Sequence, residues 1–73
     1  MKLICTNGQD ARELRRRLTL NQSAFWGHIG VTQSGGSRYE SGRAMPEQVA
    51  MLVHLAYGTE KQAKQLLDWL RKT

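Results

Sequence analysis

Glycines 30, 42 and 58 each close a stretch of helical apolar spacing, and each is followed within four residues by one that opens the next helix: Thr32, Pro46 and Thr59. Glycine ends helices because it accepts the left-handed conformation, threonine caps them, and proline suits the first turn. A chain punctuated so often folds as short helices joined by tight turns.

The segments between these marks read accordingly. A first helix over about residues 8–18 starts from the caps Thr6 and Asn7, carries Asp10 in its first turn, and spaces Ala11, Leu14 and Leu18 along one side. Asn21 opens a short second helix, roughly 22–29, with Phe25 and Ile29 four apart. The third runs from the Thr32 cap to Gly42. In the fourth, opened by Pro46, Val49, Leu52, Val53 and Ala56 share a face before Gly58 stops it. The fifth, about 59–71, sets Ala63, Leu66, Leu67 and Leu70 at amphipathic spacing. "KLIC", residues 2–5, is too short to decide; pairing with a symmetry mate as a strand and a disordered arm are both open.

At 73 residues the chain holds one small domain with a marginal core, so association with a second copy is a natural source of stability. No apolar run nears the ~20 residues of a membrane span. "MKLIC" is too short for a secretory leader and the lone Cys5 cannot form an internal disulfide, so a cytoplasmic protein is expected. The formal charge of +5 is uneven: residues 1–43 hold seven Lys/Arg against three Asp/Glu, residues 44–73 four against three. Such a basic excess suits nucleic acid. His28, His54 and Cys5 fall in no metal or nucleophile spacing, and no glycine-rich phosphate loop is present. No enzyme activity, metal, cofactor, small-molecule ligand or membrane partner is therefore expected.

Residues 20–43, "LNQSAFWGHIGVTQSGGSRYESGR", resemble the helix-turn-helix of the Cro and phage-repressor (XRE) family, whose members read like "LSQxxxAxxLGVSQSxISRWESGR". The likeness extends more loosely over about residues 9–57, through "ELRRRL" and Met45-Pro46. It implies an all-α, compact five-helix bundle of the lambda-repressor-like type, a single domain over 1–73 with the helix-turn-helix at about 22–41. It also implies a bacterial or phage-encoded transcriptional regulator, most simply a dimeric autorepressor on an inverted-repeat operator. Phage repressors and the small autoregulators that accompany anti-CRISPR genes both fit. The alternative is an antitoxin that neutralises a partner protein and binds DNA secondarily, although no toxin-binding tail is visible.

The resemblance assigns roles by position. Gly30 supplies the turn between the two helices, and Phe25, Ile29, Val31 and Tyr39 join Leu14, Leu18 and Leu20 in the core. Arg15 and Glu40 occupy positions that form an ion pair in the family. The third helix enters the major groove, where Thr32, Gln33, Ser34, Ser37 and Arg38 face bases. Gln33 suits adenine N6/N7 and Arg38 suits guanine O6/N7. Gln22, Asn21 and Arg43 are the expected phosphate ligands, with His28 a weaker candidate. Leu66, Leu67, Trp69 and Leu70, with Tyr57, offer a dimer surface.

Two positions depart from the family pattern: Trp26 stands where a small residue is usual, and Gly36 where Ile or Val is usual. Both face the contact between the two helices. The indole is expected to fill the space left by the missing aliphatic side chain, since close packing conserves core volume.

Overall fold

The computed structural model describes residues 1–72. Among them are five helices and no strand: α1 (Gly8–Arg17), α2 (Gln22–Gly27), α3 (Gln33–Glu40), α4 (Glu47–Tyr57) and α5 (Glu60–Arg71). The all-α, five-helix architecture read from the glycine spacing is the one observed. Asn7, Asn21, Thr32 and Thr59 each accept a hydrogen bond from the N–H three residues on, satisfying a donor that the helix itself cannot. Gln62 returns a bond to the Thr59 N–H, completing a capping box. Pro46 sits one place earlier than expected, at the α4 cap, where its carbonyl receives the Val49 and Ala50 N–H groups.

α1, α2 and α3 end in the same way. Thr19, Gly30 and Gly42 adopt φ of 57°, 79° and 117°. The residue after each donates back across the last turn, from Leu20 to Arg15, Val31 to Trp26 and Arg43 to Arg38, at 3.2, 3.0 and 3.0 Å. Only the two glycines announce this ending in the sequence. Thr19 is β-branched and strained there. Thr19→Gly is accordingly expected to raise the melting temperature by roughly 4 °C, a net gain of about 0.5–1 kcal/mol; a lower melting temperature in a thermal scan would contradict it. Gly58 differs, with φ −74°. A Cβ there would crowd the His54 carbonyl, so close approach, not handedness, calls for glycine.

The core is built from Cys5, Ala11, Phe25, Trp26 and Val53, with Leu14, Leu20, Ile29, Val31 and Tyr39 packed half-buried around it. Four expectations are corrected. Leu18 is exposed because the chain leaves α1 there and turns left-handed at Thr19. In α4 the buried residues are Ala50, Val53 and His54, while Leu52 and Ala56 face outward; a helix apolar on nearly all sides does not reveal its inner face by period. The "KLIC" segment is not a loose arm: Cys5 is buried, Ile4 packs on the core, and the Ile4 N–H donates to His54 Nδ1 at 3.0 Å. Tyr57 stacks on Phe25 with centroids 4.4 Å apart and donates its hydroxyl to the Phe25 carbonyl, so it braces α4 against α2 within one chain.

His54 is 2 % exposed and both ring nitrogens are engaged. Nδ1 accepts from Ile4, so Nε2 carries the proton and donates to the Gln62 carbonyl at 2.9 Å. One neutral imidazole thus joins the N-terminal segment, α4 and α5. Burial pushes the Cys5 thiol up to about 11, with the Asp10 charge adding to it, which leaves it a neutral, space-filling side chain.

Candidate nucleic-acid interface

α3 is short, with eight residues and two adjacent glycines, and helix propensity alone would not hold it. Three contacts seat it. Gly36 lies against the indole of Trp26, so close that a Cβ would overlap the ring. Tyr39 tilts against the same ring at 5.8 Å. On the far side Gly8 of α1 meets the Tyr39 carbonyl, where again a Cβ has no room. The expected compensation between Trp26 and Gly36 is therefore a direct contact.

Glu40 closes the seat. It is 6 % exposed and gathers donors from both α1 and α2. Arg15 of α1 binds it through Nε and Nη2 at 3.0 and 2.8 Å, while its Nη1 holds the Leu20 carbonyl at 2.9 Å. Trp26 donates Nε1–H at 2.7 Å and Gln22 donates Nε2–H at 3.3 Å. Arg12 stands farther off at 3.9 Å and is largely solvated. Burial alone would push the Glu40 carboxyl up, but the hydrogen bonds from Arg15, Trp26 and Gln22, with the Arg15 charge, outweigh it and hold the carboxyl below its ordinary value. Among the described residues no buried side-chain nitrogen or oxygen lacks a partner.

This arrangement turns Thr32, Gln33, Ser34 and Arg38 to the outside, all exposed, with Ser37 half-buried. Residues 33, 34, 37 and 38 lie on one helical edge by their spacing. The Thr32 hydroxyl oxygen accepts the Gly35 N–H at 3.0 Å, so this side chain first serves as a cap. Asn21 likewise caps α2, its Oδ1 accepting from Ala24 at 2.8 Å. Gln22 has its amide nitrogen on Glu40 and its oxygen on Gln33, whose Nε2–H donates to it at 2.7 Å. Its amide is thus engaged within the chain, and not turned outward as a phosphate ligand would be. Arg43 is exposed just beyond the left-handed Gly42, and His28 is exposed at the end of α2, near the ring of Tyr57.

The residues named for dimerisation divide. Leu66 is fully buried in the chain's own interior and presents nothing to a partner, a correction that follows from its central place on the inner face of α5. Leu67, Trp69 and Leu70 are 46, 48 and 43 % exposed. α5 packs chiefly on α4. Sequence reading missed the Gln22 and Trp26 bonds to Glu40, the Gly8 approach and the His54 clamp; of these only the Trp26 departure left a trace in the sequence.

No helix among the described residues is long and apolar enough to cross a membrane. The family model of the RsaL-like helix-turn-helix domain matches residues 12–56. That span runs from within α1 to within one residue of the end of α4 and contains the seat of α3 except for Gly8. Neither the curated proteins nor the solved structures give a match to the chain.

Proposed function

We propose that this chain, which belongs to the RsaL-like helix-turn-helix domain family, is a sequence-specific regulator of transcription that binds double-stranded DNA as a dimer and represses from an inverted-repeat operator. The observation that carries the reading is the division of α3 into a seated edge, Gly36 and Glu40, and an outward edge, Gln33, Ser34, Ser37 and Arg38. A helix so mounted presents hydrogen-bonding side chains to the major groove. Gln33 reads adenine, Arg38 reads guanine, and Ser34, Ser37 and Thr32 add polar contacts. Asn21 and Arg43 hold phosphates on either side, through the free amide nitrogen of the one and the guanidinium of the other. Two copies meet through Leu67, Trp69 and Leu70, large apolar side chains left nearly half exposed on α5.

A mobility shift with DNA from upstream of the chain's own gene tests this. Retardation at low salt is expected, with affinity falling by roughly two or more orders of magnitude between 50 and 200 mM salt, as phosphate neutralisation requires. Absence of a shift at low salt would sink the reading.

A further inference from the structure

We propose that Glu40, a buried residue that does not reach the DNA, decides which base Gln33 reads, by fixing the direction of a chain of hydrogen bonds that ends at the Gln33 amide. The inference rests on the DNA-reading function just proposed.

The direction follows from donor and acceptor identities. A carboxylate only accepts, so Gln22 must turn its NH₂ toward Glu40 Oε1. Its carbonyl oxygen is then the end that faces α3. An amide oxygen also only accepts, so Gln33 must turn its own NH₂ inward to Gln22, as the 2.7 Å contact between Nε2 and Oε1 shows. What remains free on Gln33 is the carbonyl oxygen and one N–H. That pair matches adenine, which offers an N6 donor and an N7 acceptor. It opposes guanine, whose O6 and N7 both accept, so that the Gln33 oxygen would face another lone pair.

Trp26 and Arg15 determine what happens when the charge is removed. Glu40 Oε2 receives both Trp26 Nε1–H and Arg15 Nε–H, at 2.7 and 3.0 Å, from groups buried or braced in the core. Oε1 receives Arg15 Nη2–H and the movable Gln22. In Glu40→Gln the amide oxygen takes the Oε2 place, where two donors require an acceptor, and the NH₂ takes the Oε1 place, where only one Arg15 N–H bond is given up and the movable Gln22 can adapt. Gln22 then turns its oxygen to the new donor and its NH₂ outward. Gln33 follows and gives its oxygen to Gln22. Both of its N–H groups now face the groove, the pattern that guanine accepts. Trp26 is a positioning residue in this scheme, since its N–H helps to set which end of the new amide points to Gln22.

Selection from a randomised double-stranded DNA pool tests the inference, using the wild-type chain, Gln33→Ala, Glu40→Gln and Gln22→Met. The wild type is expected to enrich a motif with one adenine whose preference Gln33→Ala abolishes, the other positions being retained. Glu40→Gln is expected to enrich guanine at that position, with a reversal of the adenine-to-guanine ratio of tenfold or more in direct binding, on the order of one bidentate contact. Gln22→Met, which frees Gln33 to turn, is expected to accept both bases within about twofold. A Glu40→Gln chain that keeps adenine, or that loses affinity equally on all sequences, overturns the inference and leaves the DNA-reading function standing. Should Glu40→Gln fail to fold by circular dichroism, Gln22→Met decides, and strict adenine preference in that variant overturns the relay. A wild-type chain that enriches no motif overturns both.

Discussion

Gly36→Ile is expected to cost the wild-type chain about 3 kcal/mol of stability, yet almost nothing in a chain that already carries Trp26→Ala. A domain of 73 residues has roughly 4–11 kcal/mol of stability at ~0.05–0.15 kcal/mol per residue. The isoleucine would force its first carbon into the Trp26 ring, which is fully buried and anchored by its N–H on Glu40. Neither side can yield cheaply, so the loss falls at the upper end of overpacking, about 3 kcal/mol. Trp26→Ala alone empties the same space and removes a donor from a buried carboxylate, for about 3–5 kcal/mol. In the double variant the aliphatic chain grows into the vacated volume. Its loss is expected near that of Trp26→Ala alone, not the sum, a coupling of about 2–3 kcal/mol. Urea midpoints by far-ultraviolet circular dichroism would measure the cycle, and a double variant no better than the sum rejects the compensation.

Arg15→Ala carries the other large effect. Glu40 keeps its charge in a buried site chiefly because Arg15 meets it with two N–H groups, at 2.8 and 3.0 Å, with Trp26 and Gln22 adding one each. Removing one partner of a buried pair leaves the other uncompensated, for about 3–5 kcal/mol near neutral pH. The pH dependence carries a sign that distinguishes this cause from lost packing. Glu40 has a folded value below the ordinary 4.5, so its contribution to wild-type stability is complete above that value and disappears as pH falls through the lowered one. Wild type is therefore expected to weaken in acid below about pH 4.5 through this group. The deficit of Arg15→Ala relative to wild type is expected to narrow over the same range, because protonation neutralises the stranded carboxylate. A deficit constant from pH 7 to 3 in urea titrations would assign the effect to packing instead.

Much of this was legible in the residues. Asn7, Asn21, Thr32 and Thr59 cap where side-chain chemistry says they should, and Gly30 and Gly42 stop their helices because only a backbone without Cβ turns left-handed freely. The departure at Trp26 and Gly36 pointed to a contact, since volume lost at one place has to be supplied at another. What stayed hidden was direction. Helical period could not orient α4, whose sequence is apolar on most sides, nor separate Leu66 from Leu67 on α5. Gln22 and Gln33 are eleven residues apart, and nothing in their types tells that one amide leans on the other. His54 carries no local signal of its clamp, because its partners Ile4 and Gln62 come from opposite ends of the chain and both offer only backbone. The base-reading and dimer roles are legible only as far as the family likeness and the exposed edges reach.

At Gly8 the first helix rests on the peptide unit of Tyr39 with no side chain in between. Main chain against main chain has no rotamers to adjust, so this joint works as a hard stop and not as a cushion. In the docking proposed above, α1 and α3 would advance toward the groove as one stiff wedge, and the give that docking demands would fall to the duplex, whose own sequence sets how easily it twists and bends.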